Sequence, residues 1–373
     1  MMNKKYKEIG IGIIGTGFMG KCHANAFRSV SGIFNLPITP RLEIIADVNK
    51  KVAMKSSASS GFKKITNNWN ELIEDPKVDI VSITTPNSLH EEMAIKAISY
   101  KKTVYCEKPL SINSISAKKM VKIAKINKSI TMVGFSFLRN PMIKMAKKII
   151  ESGQIGDIKT FSGIHAENYM QEHVPHSFRT SLDEGGGALM DLGSHIISLA
   201  RFLLGPIKEV VGIEENNINA RLGKNKKLKK SEIDDRSIFI AQFENGITGN
   251  FEACWNYYGS NMNLGFEITG SKGAIKFNQQ RMNELELYKD GFKGFSLIEA
   301  GPEHKPYGNF CPAPGHHLGF NDLKVIEVAE LLLAQANNKT CFPDFEEAYK
   351  VQLVIDAVKK SSKEKKWIKI HSS

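Results

Sequence analysis

No apolar run in the 373 residues reaches the roughly 18 that a membrane-spanning helix needs, so a helical membrane protein is excluded. Internal repeats and low-complexity stretches are also missing, which leaves ordinary folded domains. Cysteine is scarce. Cys22, Cys106, Cys254, Cys311 and Cys341 are odd in number, scattered and without paired metal-ligand spacing. Reduced thiols in a cytoplasmic protein are therefore expected, with no disulfide framework and no metal. The first residues, Met1 to Lys7, are polar and lead straight into a strand, so no signal peptide is expected.

Hydrophobic content of 42% and charged content of 24% suit a folded chain, and its length suits two domains. The net charge of +12 raises the question of an anionic partner. However, the lysines are spread along helix faces such as Lys118-Lys119 and Lys147-Lys148. The dense cluster, Lys224 to Lys230, lies among Gly and Asn and reads as a solvated loop. No recognition-helix or RNA-binding motif accompanies the charge, so neither nucleic acid nor a membrane is expected as partner.

Strand and helix alternate through the first 139 residues. The apolar runs at Ile9 to Ile14, Arg41 to Asp47, Phe62 to Thr66, Val78 to Thr84, Thr103 to Cys106 and Ile130 to Phe135 read as strands. Helical stretches are expected at Phe18 to Val30, Asn49 to Ala58, Asn68 to Glu74, Pro86 to Ser99 and Asn113 to Asn127, with Pro37 and Pro40 breaking a loop. This alternation predicts an α/β, doubly wound parallel sheet. Residues 140–373 read differently. Helices at Pro141 to Ser152 and Ala188 to Leu204 bracket a strand, Asp157 to Glu167, and six further strands follow between Ile207 and Tyr288. Two helices, Asn321 to Asn337 and Phe345 to Lys360, close the chain and are candidates to pack back on the first domain. The second domain is therefore expected to be α+β with an open, mostly antiparallel sheet.

Gly15-Thr16-Gly17-Phe18-Met19-Gly20 follows the first strand and opens a helix. Gly15 suits a tight turn, Gly17 a close approach by a pyrophosphate, and Gly20 close helix–strand packing. Phosphates would meet the free N–H groups of the helix start, including those at Phe18 and Met19. Asp47, at the end of the second strand, suits the hydroxyls of an adenosine ribose and repels a 2′-phosphate. NAD is thus expected over NADP, although Lys50 and Lys51 soften that exclusion and leave NADP open. Asp47 has a plainer reading as a helix cap. Thr85, Asn87 and His90 follow the fourth strand on the edge that lines a cofactor crevice. Asn87 equally suits a helix cap, and His90 a supporting group. Glu107-Lys108-Pro109 follows the fifth strand at the same edge, so Glu107 joins the cofactor set and Lys108 the reacting centre. Asp191 and His195 are four residues apart after Gly185-Gly186-Gly187, on one face of their helix. A carboxylate beside an imidazole raises its basicity, although a surface pair or half of a metal site has the same spacing.

Taken together, these residues resemble the Gfo/Idh/MocA family of sugar and cyclitol oxidoreductases. The resemblance rests on the glycine turn, Thr85-Pro86-Asn87 with His90, Glu107-Lys108-Pro109 and the Gly185 to His195 segment. It implies a Rossmann domain, a catalytic set of Lys108, Asp191 and His195, a cis Lys108-Pro109 bond and a homo-oligomer, dimer or tetramer, joined through the open sheet. His165 to Tyr169, Pro175 to Arg179 and Asn309 to His317 are similar to the inositol, levoglucosan and related sugar dehydrogenases. A polyol or sugar substrate is expected, held by Lys108, Arg139, Asn168, Tyr169, Arg179 and His317. An NAD-dependent glycoside hydrolase and a non-catalytic NAD-binding regulator are the alternatives on the same scaffold.

Overall fold

The computed structural model describes residues 7–223 and 227–371; the polar leader before Lys7 and part of the lysine cluster, residues 224–226, lie outside them. Two compact units are present. One comprises Met1–Ser111, Ile115–Arg139 and Gly319–Tyr349; the other comprises Ile112–Ser114, Asn140–Leu318 and Lys350–Ser373.

The first unit holds β1 (Lys7–Ile14), α1 (Phe18–Ile33), β2 (Ile38–Ala46), α2 (Lys50–Ser60), β3 (Lys64–Thr66) and α3 (Trp69–Glu74). It continues with β4 (Ile80–Ile83), α4 (His90–Ser99), β5 (Thr103–Cys106), α5 (Ser114–Asn127) and β6 (Thr131–Val133). All neighbours pair in parallel in the order β3-β2-β1-β4-β5-β6. Ile11, Ile13, Val81, Ile83 and Val104 are fully buried, as strands covered on both faces require. The strand order reverses at β1 and β4, so the glycine turn after β1 sits at the topological switch point. β2 differs from expectation: it starts at Ile38 and runs through Pro40. β3 reaches only Ile44–Ala46, so that end of β2 is a sheet edge, where proline is tolerated.

The second unit is built on a nine-stranded sheet, ordered β16-β15-β14-β13-β7-β12-β11-β8-β17. Its strands are β7 (Ile158–Ala166), β8 (Ile207–Glu215), β11 (Arg236–Phe243), β12 (Thr248–Cys254) and β13 (Asn263–Gly270), then β14 (Gly273–Asn278), β15 (Glu284–Lys289), β16 (Ser296–Glu299) and β17 (Ile368–Lys369). A separate hairpin pairs β9 (Ala220–Leu222) with β10 (Leu228–Lys230). Only β7 and β12 run parallel. One face is covered by α6 (Pro141–Glu151) and α7 (Ser194–Leu204). Gly163 of β7 makes room for α7, since a Cβ there would come within 2.8 Å of Ile196. Beneath lies an aromatic core in which the Phe251 ring stands 4.6 Å from Phe239 and 4.9 Å from Phe161.

Two helices follow, α8 (Phe320–Asn337) and α9 (Phe345–Glu364). α8 packs on α1, and Pro343 accepts from Val133 at 2.9 Å, covering the free edge of β6. Three expectations fail here. β9, β10, β16 and β17 were not anticipated, because such short, polar strands show no two-residue alternation. The expected helix from Ala188 begins as a π-turn, Leu189–Gly193, before α7 proper. The helix from Pro86 begins as a 3₁₀ turn, Asn87–Leu89. No helix among the described residues is long and apolar enough to cross a membrane. Phe251→Ala should destabilise the protein by about 3–5 kcal/mol, read as a lowered denaturation midpoint. A shift below about 1 kcal/mol would refute this account of the core.

Candidate active site

Gly15 has φ +98°, a backbone conformation that strains any side chain, and a Cβ there would meet Thr84 O at 2.7 Å. Gly20 is equally crowded, with Gly15 O 2.2 Å from a built Cβ. Gly17 faces open space and begins α1 without a side-chain cap or an acid in the first turn. The first N–H groups of α1 thus face an open, uncontested approach, which fits a pyrophosphate. Phe18 is exposed and stacks on Phe320 at 5.9 Å, while Met19 is half-buried. Asp47 stands just beyond β2. Its Oδ2 accepts from Thr16 N at 3.0 Å and from the Thr16 hydroxyl, and its Oδ1 accepts from Asn49 N at 2.9 Å. The cap of α2 is Asn49, which removes the plainer reading of Asp47. Asn87 is the first residue of the 3₁₀ turn that precedes α4, with Pro86 at its N-cap position.

The Glu107-Lys108-Pro109 segment hangs from a buried polar cluster. Glu107 Oε1 lies 2.6 Å from Lys324 Nζ and 2.7 Å from His23 Nε2. Lys324 also reaches Glu327 at 2.9 Å, and Glu327 accepts the Tyr105 hydroxyl. His23 stacks on Tyr105 with ring centroids 4.3 Å apart. Burial opposes charge on Glu107, but Lys324 and the His23 hydrogen bond more than offset it and hold the carboxyl well below its usual range. Burial, then the Lys324 cation, lowers the pKa of His23. The neutral ring donates from Nε2 to Glu107, and the Ser82 hydroxyl at 2.7 Å donates to Nδ1. The other oxygen of Glu107 accepts from Lys108 N at 3.2 Å. Gly134 leaves the necessary room: a Cβ would lie 2.5 Å from the carboxylate. The Lys108–Pro109 bond is cis, and Lys108 is half-buried.

Three expected ligand-binding residues are committed elsewhere. Glu107 is anchored by Lys324, His23 and the Lys108 amide. His90 is fully buried between the carbonyls of Pro109 and Thr85, each 3.0 Å away, and ties the two loops together. Arg139 is buried in the first unit, paired with Glu330 and the Phe342 carbonyl. Nothing in the local sequence marked the side-chain partners of Glu107 or those of Arg139, which lie far along the chain. Thr85 is half-buried, and its hydroxyl lies 3.6 Å from Met93 Sδ.

In the second unit, Asp191 Oδ2 accepts from Tyr169 Oη at 2.6 Å and Arg179 Nε at 3.0 Å. Burial first, and the Asp191 carboxylate second, push the Tyr169 hydroxyl well above its ordinary pKa, which keeps it a donor. Asp191 lies in the π-turn, and His195 follows four residues later in the first turn of α7. His195 is 8% exposed, and its ring stands 5.5 Å from that of His165. His165 in turn contacts Leu192 O at 3.0 Å and Glu167 Oε1 at 3.1 Å, a support for the π-turn that the sequence did not reveal. Asn168 bridges to Asn256 and accepts from Gln171. His317 lies apart from this cluster's bonds, half-exposed, with its N–H on Tyr307 Oη and its ring 3.8 Å from Glu299. Among the described residues no group of three or more His, Cys, Asp or Glu is gathered to hold a metal.

A doubly wound sheet with a glycine cradle at its switch point, joined to an α+β unit, defines a dinucleotide-dependent oxidoreductase. Residues 9–135 match the oxidoreductase family with an NAD-binding Rossmann fold, and residues 143–276 match the GFO/IDH/MocA C-terminal domain. Levoglucosan dehydrogenase of Pseudarthrobacter phenanthrenivorans is 33% identical over 98% of both chains. A solved levoglucosan dehydrogenase in complex with NADH and levoglucosan superposes with a TM-score of 0.94 at 34% identity, covering 98% of this chain and 100% of that one. The NAD⁺-dependent scyllo-inositol 2-dehydrogenase of Bacillus subtilis is 27% identical over 78% of this chain and 80% of its own. The chain belongs to the Gfo/Idh/MocA family and is an NAD-dependent oxidoreductase.

The Lys324 cation balances two buried carboxylates, so Lys324→Met should cost about 3–5 kcal/mol of stability in denaturant unfolding. An unchanged midpoint would show that the cluster is not coupled to folding.

Proposed function

We propose that the protein is a dehydrogenase of a ring hydroxyl in an anhydrosugar, sugar or cyclitol, with Lys108, Asp191 and His195 as its catalytic residues. One observation carries the reading: the second unit holds a carboxylate, Asp191, gripped by Tyr169 and Arg179 four residues before His195. Full-length similarity to a dehydrogenase solved with NADH and levoglucosan supports the substrate class. When bound, NAD accepts the hydride. Gly15, Gly17, Phe18, Met19 and Gly20 would hold its pyrophosphate, Asp47 would bind its ribose, and Thr85 and Asn87 would add contacts from the loop after β4.

His195 takes the hydroxyl proton as the carbon is oxidised, and Asp191 stabilises the imidazolium that forms. Lys108 donates to the substrate oxygen and offsets its developing negative charge. Tyr169 and Arg179 have a double use: they fix Asp191 and present further donors to sugar hydroxyls, with Asn168 and His317 completing the set. All five cysteines are free thiols, in keeping with a reducing, cytoplasmic setting. Ile213 of β8 and Ile240 of β11 are 52% and 43% exposed on the uncovered face of the sheet, which supports assembly into a homo-oligomer through that face.

An NADH-absorbance screen of anhydrosugars, inositols and aldoses at mildly alkaline pH should find turnover. A protein that binds NADH yet oxidises none of them would overturn the proposal. Lys108→Ala should keep NADH binding and lose roughly 10²-fold or more in kcat; normal kcat would remove Lys108 from the chemistry. Asp47→Ala should narrow the preference for NAD over NADP, and an unchanged ratio would count against the ribose contact.

A further inference from the structure

The β9–β10 hairpin belongs to no motif of the proposed reaction, and its outer strand is solvated: Leu228, Lys229 and Lys230 are all exposed. Its inner strand is different. Arg221 is 1% exposed, and its guanidinium is one of the largest buried groups in the chain. Nη1 donates to the carbonyls of Gln171 at 2.7 Å and Val174 at 3.3 Å, and Nη2 to the carbonyl of Met170 at 2.9 Å. The charge is balanced by Asp235, 3.1 Å from Nη2 and itself fully buried. Asp235 is fixed in turn by Trp255 Nε1 at 2.8 Å and by the N–H groups of Asn217 and Ile218 at 2.9 and 2.8 Å. One planar fork thus gathers three backbone carbonyls of a turn that is neither helix nor strand.

That turn follows directly on Tyr169. Met170 N donates to Trp255 O at 3.0 Å, and the Tyr169 ring meets the Trp255 ring edge-on at 6.4 Å. Beyond the turn, His176 N donates to Leu222 O at 2.8 Å, so the hairpin also holds the approach to Arg179. The far end of the insertion grips the neighbouring element. Asp234 accepts from Leu189 N at 2.7 Å through its side chain and from Ala188 N at 3.0 Å through its carbonyl, at the start of the π-turn that carries Asp191. Gly187 permits this approach, because a Cβ would lie 2.0 Å from the Asp234 carboxylate.

We infer that Arg221 is a positioning residue for substrate recognition, acting through Tyr169. The inference deepens the proposed function and rests on its assignment of Asp191 and Tyr169 to the sugar site. Without Arg221 the three carbonyls lose their donors, the turn relaxes, and the Tyr169 hydroxyl no longer meets Asp191 at a fixed point. The sugar should feel this, whereas NADH, held by the other unit, should not.

The test is a double-mutant cycle of Arg221→Met and Tyr169→Phe, read as sugar KM, kcat and NADH Kd. Expected is a rise of about tenfold or more in sugar KM for Arg221→Met, unchanged NADH Kd, and little further loss on adding Tyr169→Phe. Arg221→Lys, which keeps the charge beside Asp235 but not the fork, should recover only part of the KM. Additive losses, or equal losses in NADH and sugar binding, would overturn the inference. The Lys229→Ser/Lys230→Ser double variant should keep wild-type kinetics, and a matching KM rise there would assign the effect to charge instead. Hydrogen exchange on the wild-type protein is independent of whether any variant folds: the amides of Met170, Val174 and His176 should be protected like those of β12, and rapid exchange would equally overturn it. Asp191→Asn separates the two levels. Full turnover in that variant would sink the proposed site itself, whereas an inactive Asp191→Asn beside an additive cycle would remove only the role of Arg221.

Discussion

The first unit depends on a buried ion cluster built around one carboxylate. Glu107 sits where the fifth strand ends, and its two oxygens serve different purposes. One receives Lys324 and His23, and the other receives the amide of Lys108. Because Lys324 and His23 stand on α8 and α1, the cluster ties the glycine-turn helix and the returning C-terminal segment to the strand that delivers Lys108. A buried carboxylate without these partners would be expensive, so the arrangement tolerates little drift. The position of the Lys108 backbone is thereby set by a buried cluster of side chains drawn from α1, α8 and the end of β5.

The second unit solves a similar problem by different means. The carboxylate proposed to work there, Asp191, lies on a π-turn whose Leu192 O contacts His165. Tyr169 and Arg179 then approach from a loop with no regular structure to hold it. Such a loop is free to vary in shape, which suits a family that handles many polyols, but it needs support from elsewhere. Arg221, Asp234 and Asp235 supply that support from one insertion. In both units a residue expected to meet ligand is held by neighbours whose own role is structural.

Much of this was legible in the chain and some was not. The parallel strands announced themselves as apolar runs buried on both faces, and the glycine turn by its place between a strand and a helix. The cis Lys108–Pro109 bond matches what the family resemblance implied. His90 holds two backbone carbonyls, as a supporting group would. Nothing in sequence separated Arg139 from a ligand contact, because a charged side chain reads the same whether it faces a ligand or a buried partner. The cluster Lys224 to Lys230 reads as a solvated loop, and Lys227, Lys229 and Lys230 are indeed exposed, but the strand pairing beside it and the burial of Arg221 left no mark in the sequence.

Sequence alone determined the alternation of strand and helix in the first unit, the glycine turn and the four-residue spacing of Asp191 and His195. Those features are local: apolar periodicity, glycine conformational freedom and short motif spacing act within a few residues of one another. Only the tertiary structure decided what holds them. The Lys324–Glu107 pair spans 217 positions, Arg221 reaches back 50 to Gln171, and Asp234 reaches back 45 to Leu189. Such pairings arise when folding removes water from charges and carbonyls that must then find partners, and no spacing rule along the chain records which partner each one finds.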